Sequence, residues 1–145
     1  MKKDWRRRAR EAALQILYLR DVGKVDVDRA VETLFTHQWA DEGPPPERIR
    51  ELAATLARDT IERLDAIDEL IAGTTERWRP DRMAVVDRLI LRMAVGELLS
   101  QPTPPPVVIN EALELARTFS TEDAVNFING MLDAIRQKLE QPQGS

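Results

Sequence analysis

Along almost all of this 145-residue chain, apolar residues recur at intervals of three and four, and strand-like alternation is absent. That spacing constrains the fold more than any other feature. A chain whose apolar side chains fall on helical stripes can bury them only by packing helix against helix. Composition agrees: charged residues make up 32%, aromatics only 5%, and glycine is rare. The expectation is an all-α protein, a compact bundle of six to seven helices in one domain over residues 1–140. Its subdomains fall at about 1–73 and 80–140, and 141–145 form a disordered tail. A chain of this length buries roughly 68–70% of its unfolded surface, enough for a core without staples.

The first helix is expected over about Asp4 to Val22. Trp5, Ala9, Ala12, Ile16 and Leu19 form one stripe, while Leu14, Leu17 and Tyr18 lie on other sides. Arg8, Glu11 and Gln15 make the one clear polar strip. A helix apolar over most of its circumference sits inside a bundle. Gly23 is expected to stop it. A second helix, about Asp26 to Trp39, follows an Asp N-cap. From the three prolines at 44–46 to Gly73 the phase supports one long helix, with a break near Thr60 as the alternative. Helices then follow over RPDRMAVVDRLILRMAVGELLS and VVINEALELARTF, and the last begins at Ser120 or Thr121 as N-cap. In the first of these two segments Asp87, Arg88, Arg92 and Glu97 do not share one side, so no single solvated stripe accounts for them.

Several chemistries are absent from the sequence. With no cysteine there is no disulfide, thiolate nucleophile or thiolate metal site. No glycine-rich phosphate loop occurs. The sole histidine, His37, has no partner ligands nearby in sequence. No stretch approaches the ~20 apolar residues of a membrane span. The basic N-terminus lacks the apolar run of a secretory signal. A binding protein is expected, with no catalytic residues, no metal and no cofactor.

Charge supplies the positive clue. The first ten residues, MKKDWRRRAR, hold six cations and one acid, a net +5. The whole chain carries −4, so the remaining 135 residues sum to −9. Basic ends are common, and an Arg7–Glu11 pair at i,i+4 is the bland account. Arginine predominates, however, and arginine grips phosphate bidentately. An acidic body repels nucleic acid elsewhere and aims it at the cationic end.

At RRRAREAALQILY the chain begins to resemble the NusB family of bacterial transcription antitermination factors. VDRLILRMAVGELL, PPPVVINEALELARTF and FSTEDAVNFINGML resemble three further family segments, in the right order, and Trp78 precedes the first of these. The resemblance implies a two-part all-helical fold. It implies a protein that pairs with the small-subunit ribosomal protein NusE and binds single-stranded boxA RNA of ribosomal RNA leader transcripts. That assembly joins the RNA polymerase antitermination complex in the cytoplasm, and a homodimer is a further state the family adopts. The RNA-contacting residues would be Lys2, Arg6, Arg7, Arg8, Arg10, Asp123 and Phe127. Tyr18 and Asp87 would face NusE. Phe127 lies about 100° from the centre of the last helix's apolar stripe, where it can stack on a base or pack as a core edge. Asp87 has an intramolecular pair with an arginine as its other reading.

The chain departs from the family pattern at Ser120, commonly Gly, and at Ala124, commonly Ser. Asn126 stands where a basic residue is common, and Gly96 where Tyr is frequent. Gly96 inside a helix costs roughly 1 kcal/mol relative to Ala. Two rival readings remain: a protein-interaction or homodimerisation module with incidental RNA binding, and a fragment of an RNA cytosine methyltransferase, which would need a cofactor-binding domain and a catalytic cysteine.

Overall fold

A computed structural model describes residues 4–39, 43–100 and 102–141. Among them are seven α-helices and no strand: α1 Trp5–Gly23, α2 Val27–His37, α3 Glu47–Glu62, α4 Leu64–Thr74, α5 Val85–Ser100, α6 Pro105–Phe119 and α7 Glu122–Glu140. A short 3₁₀ turn, Pro80–Arg82, precedes α5. The all-α expectation holds. The structure describes no part of the tail beyond residue 141.

Helix starts follow local chemistry. Asp4, the one acid in the basic run, caps α1: its carboxylate accepts from the Arg6 backbone N–H at 2.9 Å. Asp26 caps α2 through the Arg29 N–H at 3.0 Å. Thr121, not Ser120, caps α7 through the Ala124 N–H at 3.1 Å. Pro105 opens α6, where its missing N–H costs nothing.

The glycine stops behave differently from the sequence expectation. Gly23 stays helical, and Lys24 takes the left-handed conformation after it, with φ 57°. Gly73 also lies inside its helix. Its carbonyl accepts from Lys138 Nζ at 3.0 Å, and a Cβ there would lie 3.2 Å from that nitrogen. Gly73 therefore lies under the tip of the Lys138 side chain and makes no turn.

The long helix expected from 44 to 73 is two helices. Arg63, with φ −101° and ψ 12°, separates α3 from α4. Just ahead of the break, buried Thr60 turns its hydroxyl back onto the Leu56 carbonyl at 2.8 Å. That bond bends a helix locally. The chain divides here into two compact units, residues 1–61 and 62–145. The boundary thus falls at 61/62, not between 73 and 80, because α4 packs with α5 and α7.

In the first unit, α1 pairs with α2. Ala9, Ala12, Ala13, Leu14, Ile16 and Leu17 of α1 are all buried, as the near-continuous apolar circumference requires. In the second unit α5 packs against α4, α6 and α7. Leu89 through Leu98 are buried apart from Arg92, which is half-buried.

That enclosure explains the four charges of α5. Each meets a partner inside the protein. Arg92 forks onto Asp68 of α4, with Nε to Oδ1 at 2.9 Å and a second nitrogen to Oδ2 at 2.8 Å. Its guanidinium also lies 5.7 Å from the Trp78 ring centroid. Arg88 donates to the Pro80 carbonyl at 2.6 Å and so pins the 3₁₀ turn. Asp87 accepts from the Ser120 hydroxyl at 2.5 Å. Glu97 is buried and also engaged. A buried charge persists only with such partners.

Candidate nucleic-acid interface

The first turn of α1 sets arginines beside aromatic rings. Arg6 is exposed, and its guanidinium carbon lies 4.7 Å from the Trp5 ring centroid. Arg48, exposed at the start of α3, approaches the same ring at 5.0 Å. One half-buried indole thus gathers two outward cations from helices more than forty residues apart in sequence. A second cluster occurs in the same unit. Arg8 lies 4.9 Å from the Trp39 centroid, Trp39 packs on Phe35 at 5.5 Å, and Arg50 lies 5.7 Å from Phe35. Rings in such stacks fix guanidinium planes, while the N–H edges remain able to donate.

The expected arginines therefore separate by environment. Arg6 faces solvent; Arg7 and Arg8 are half-buried and have other partners. Arg10 departs from the expectation: it is only 6% exposed and engaged internally. It lies on the buried side of α1 with Ala9 and Ala13, so its helical position removes it from the open surface. Lys2 lies outside the described residues. Arg48 and Arg50 were not singled out from the sequence. Their only linear signal is the arginine spacing in ERIRE, which reads equally as a solvated helix face.

Phe127 and Asp123 belong to α7 in the second unit. Asp123 is exposed in the first turn, where an acid is also favoured by the helix dipole. Phe127 is half-buried, at the edge of a face whose buried members include Ala124, Ile128, Met131, Leu132 and Ile135. Exposed Arg77 lies over its ring at 4.7 Å. Arg77 was also missed, because fifty residues separate it from the ring.

The residues expected to face a protein partner are in different settings. Tyr18 is 44% exposed, and Val22, one turn later, is 49% exposed. They form a small exposed apolar pair in the C-terminal half of α1, beyond its buried stretch at 12–14 and 16–17. Asp87 is half-buried, and one carboxylate oxygen already holds the Ser120 hydroxyl. Serine at position 120 thereby gains an internal role. The arginine partner considered for Asp87 is replaced by a hydroxyl.

Among the described residues no group of three His, Asp or Glu side chains is placed to hold a metal ion, and no helix is long and apolar enough to cross a membrane. Fold and surface define a class: an all-helical protein with arginine–aromatic clusters at its surface. A sequence profile of the NusB family matches residues 7–137. The transcription antitermination protein NusB of Solibacter usitatus (strain Ellin6076) is 45% identical over 137 residues, covering 94% of this chain and 92% of its own. The solved structure of T. maritima NusB is 34% identical, with a TM-score of 0.78 over 97% of this chain and 100% of that one. A structure of the antitermination factors NusB and NusE in complex with double-stranded RNA aligns with a TM-score of 0.80, over 92% of this chain and 97% of that one. At 24% identity that last likeness is one of fold. The chain belongs to the NusB family.

Proposed function

We propose that this protein is a transcription antitermination factor that holds single-stranded boxA-type RNA together with the ribosomal protein NusE, without catalytic turnover. It acts in the cytoplasm, within an RNA polymerase antitermination complex. The observation that carries this reading is the exposed Arg6–Trp5–Arg48 stack on a protein of net charge −4. Two oriented guanidinium groups are a phosphate-binding device, and the acidic remainder keeps nucleic acid off other surfaces. Arg7 and Arg8 add to the same end of α1. Asp123 supplies an acceptor for a base amino group or a ribose 2′-OH.

The cationic area is small, so affinity for RNA alone is modest. A partner that extends the surface raises it by effective concentration. Tyr18 and Val22 offer that partner an apolar foothold, since exposed tyrosine is a frequent anchor of protein interfaces.

The test is a boxA-type RNA shift assay with and without NusE over a salt series, with a duplex of the same sequence as competitor. The proposal expects NusE-enhanced binding, preference for the single strand, and affinity that falls with salt. Tight NusE binding that RNA does not enhance would favour a protein-interaction or homodimer module instead.

A further inference from the structure

Arg77 lies in the segment joining α4 to α5, close to α7 in space. Its backbone N–H donates to the Thr75 hydroxyl at 3.1 Å, which fixes the chain direction just after the helix end. Its guanidinium carbon then sits 4.7 Å from the Phe127 ring centroid. Phe127 is half-buried and Arg77 is exposed. The outward group at this place is therefore the guanidinium, with the phenyl ring beneath it. Among the described residues no carboxylate pairs with Arg77, in contrast to Arg92, Arg117 and Arg136, each of which holds an acid. Stacking on a ring uses the face of a guanidinium and leaves its in-plane N–H groups free to donate.

We propose that Arg77 is an RNA-contacting residue of the second unit: its guanidinium, backed by Phe127, receives one unpaired nucleobase on its open face and donates to a neighbouring phosphate. The inference rests on the RNA-binding reading above and assigns it a residue that reading lacks. Bases stack on arginine planes as well as on aromatic rings, and such stacking tolerates any base. Asp123 and Asn126, exposed on the same helix as Phe127, provide polar groups beside the step. Phe127 acts mainly as a positioning residue that holds Arg77 flat, and only through it on the RNA.

The experiment titrates single-stranded boxA-type RNA, with NusE present, into the full-length protein and its Arg77→Ala, Arg77→Lys, Phe127→Leu and Arg77→Ala/Phe127→Leu variants at several salt concentrations. Arg77→Ala is expected to weaken binding about tenfold and to lower the salt slope by about 0.7, one phosphate contact on a single strand. Arg77→Lys should keep the slope and lose part of the affinity, because lysine carries the charge without the plane. The double variant should bind within about twofold of Arg77→Ala, and melting temperatures should match the parent. Unchanged affinity and slope in Arg77→Ala overturns the inference, as does a loss matched by a lowered melting temperature. If Arg6→Ala lowers the slope while Arg77→Ala does not, this inference alone falls. If the parent binds no RNA, both readings fall.

Discussion

Replacing Arg92 by alanine should destabilise the second unit measurably, although Arg92 is not among the residues proposed to contact RNA or NusE. Its side chain is 13% exposed and forks onto Asp68, whose side chain is 31% exposed. Both bonds are short and parallel, the arrangement in which arginine–carboxylate pairs are strongest. Removal of the guanidinium strips two charge-assisted hydrogen bonds and the Trp78 contact. Each such bond is worth about 1.5–3 kcal/mol when its partner is left dry. Asp68 remains partly wet, so water recovers much of that loss. The net expectation is about 2 kcal/mol for Arg92→Ala. Arg92→Lys should cost about half as much, because an ammonium keeps the charge and loses the fork. Urea unfolding at constant m reads both values. A double-mutant cycle with Asp68→Ala should return a coupling near 1 kcal/mol. A cost below about 0.5 kcal/mol for Arg92→Ala, or no coupling, would refute the claim that this fork joins α4 to α5.

Three further outcomes follow from the same geometry. Gly130 sits exposed within α7, where an added Cβ meets nothing within 4 Å; Gly130→Ala should stabilise by about 0.5–1 kcal/mol, read as a rise of about 2–4 °C in calorimetry. Arg10→Ala should destabilise by about 2–4 kcal/mol because it removes a buried, engaged side chain, whereas Arg6→Ala, which loses only a surface cation–π contact, should stay within about 1 kcal/mol of the parent in the same urea assay. Tyr18→Ala should weaken NusE binding by about tenfold or more in calorimetric titration while leaving affinity for RNA alone unchanged.

Much of the fold was legible because helical phase and caps are local. Asp4, Asp26 and Pro105 mark helix starts as their chemistry predicts. The apolar circumference of α1 correctly indicated burial on most sides. The charges of α5 announced internal partners by failing to share a side, although the sequence could not name Asp68, Pro80 or Ser120, each set by tertiary packing. The break at Arg63 was half visible, since Thr60 hinted at it while the apolar phase ran straight through. Gly73 misled because a glycine near a helix end need not make the turn: here it stays helical, and the chain leaves the helix at Thr75. At the candidate site, Arg6 stands out in the basic run, whereas Phe127 is nominated by the family resemblance, since its linear pattern reads equally as a core edge. Arg48 and Arg77 could not be picked from linear patterns, since each reaches its aromatic ring across a gap of more than forty residues. Arg10 looked like one of five equal cations until its place on the buried side of α1 set it apart.

The central claim is that the arginines gathered on Trp5 grip RNA phosphates. The most direct measurement is the salt dependence of boxA-type RNA binding, with NusE present, for the parent and for Arg6→Ala/Arg48→Ala. The account predicts a log–log slope shallower by about 1.4, two single-strand phosphate contacts at about 0.7 each, with circular dichroism and melting temperature unchanged. A variant that binds with the parent's affinity and the parent's slope would contradict it.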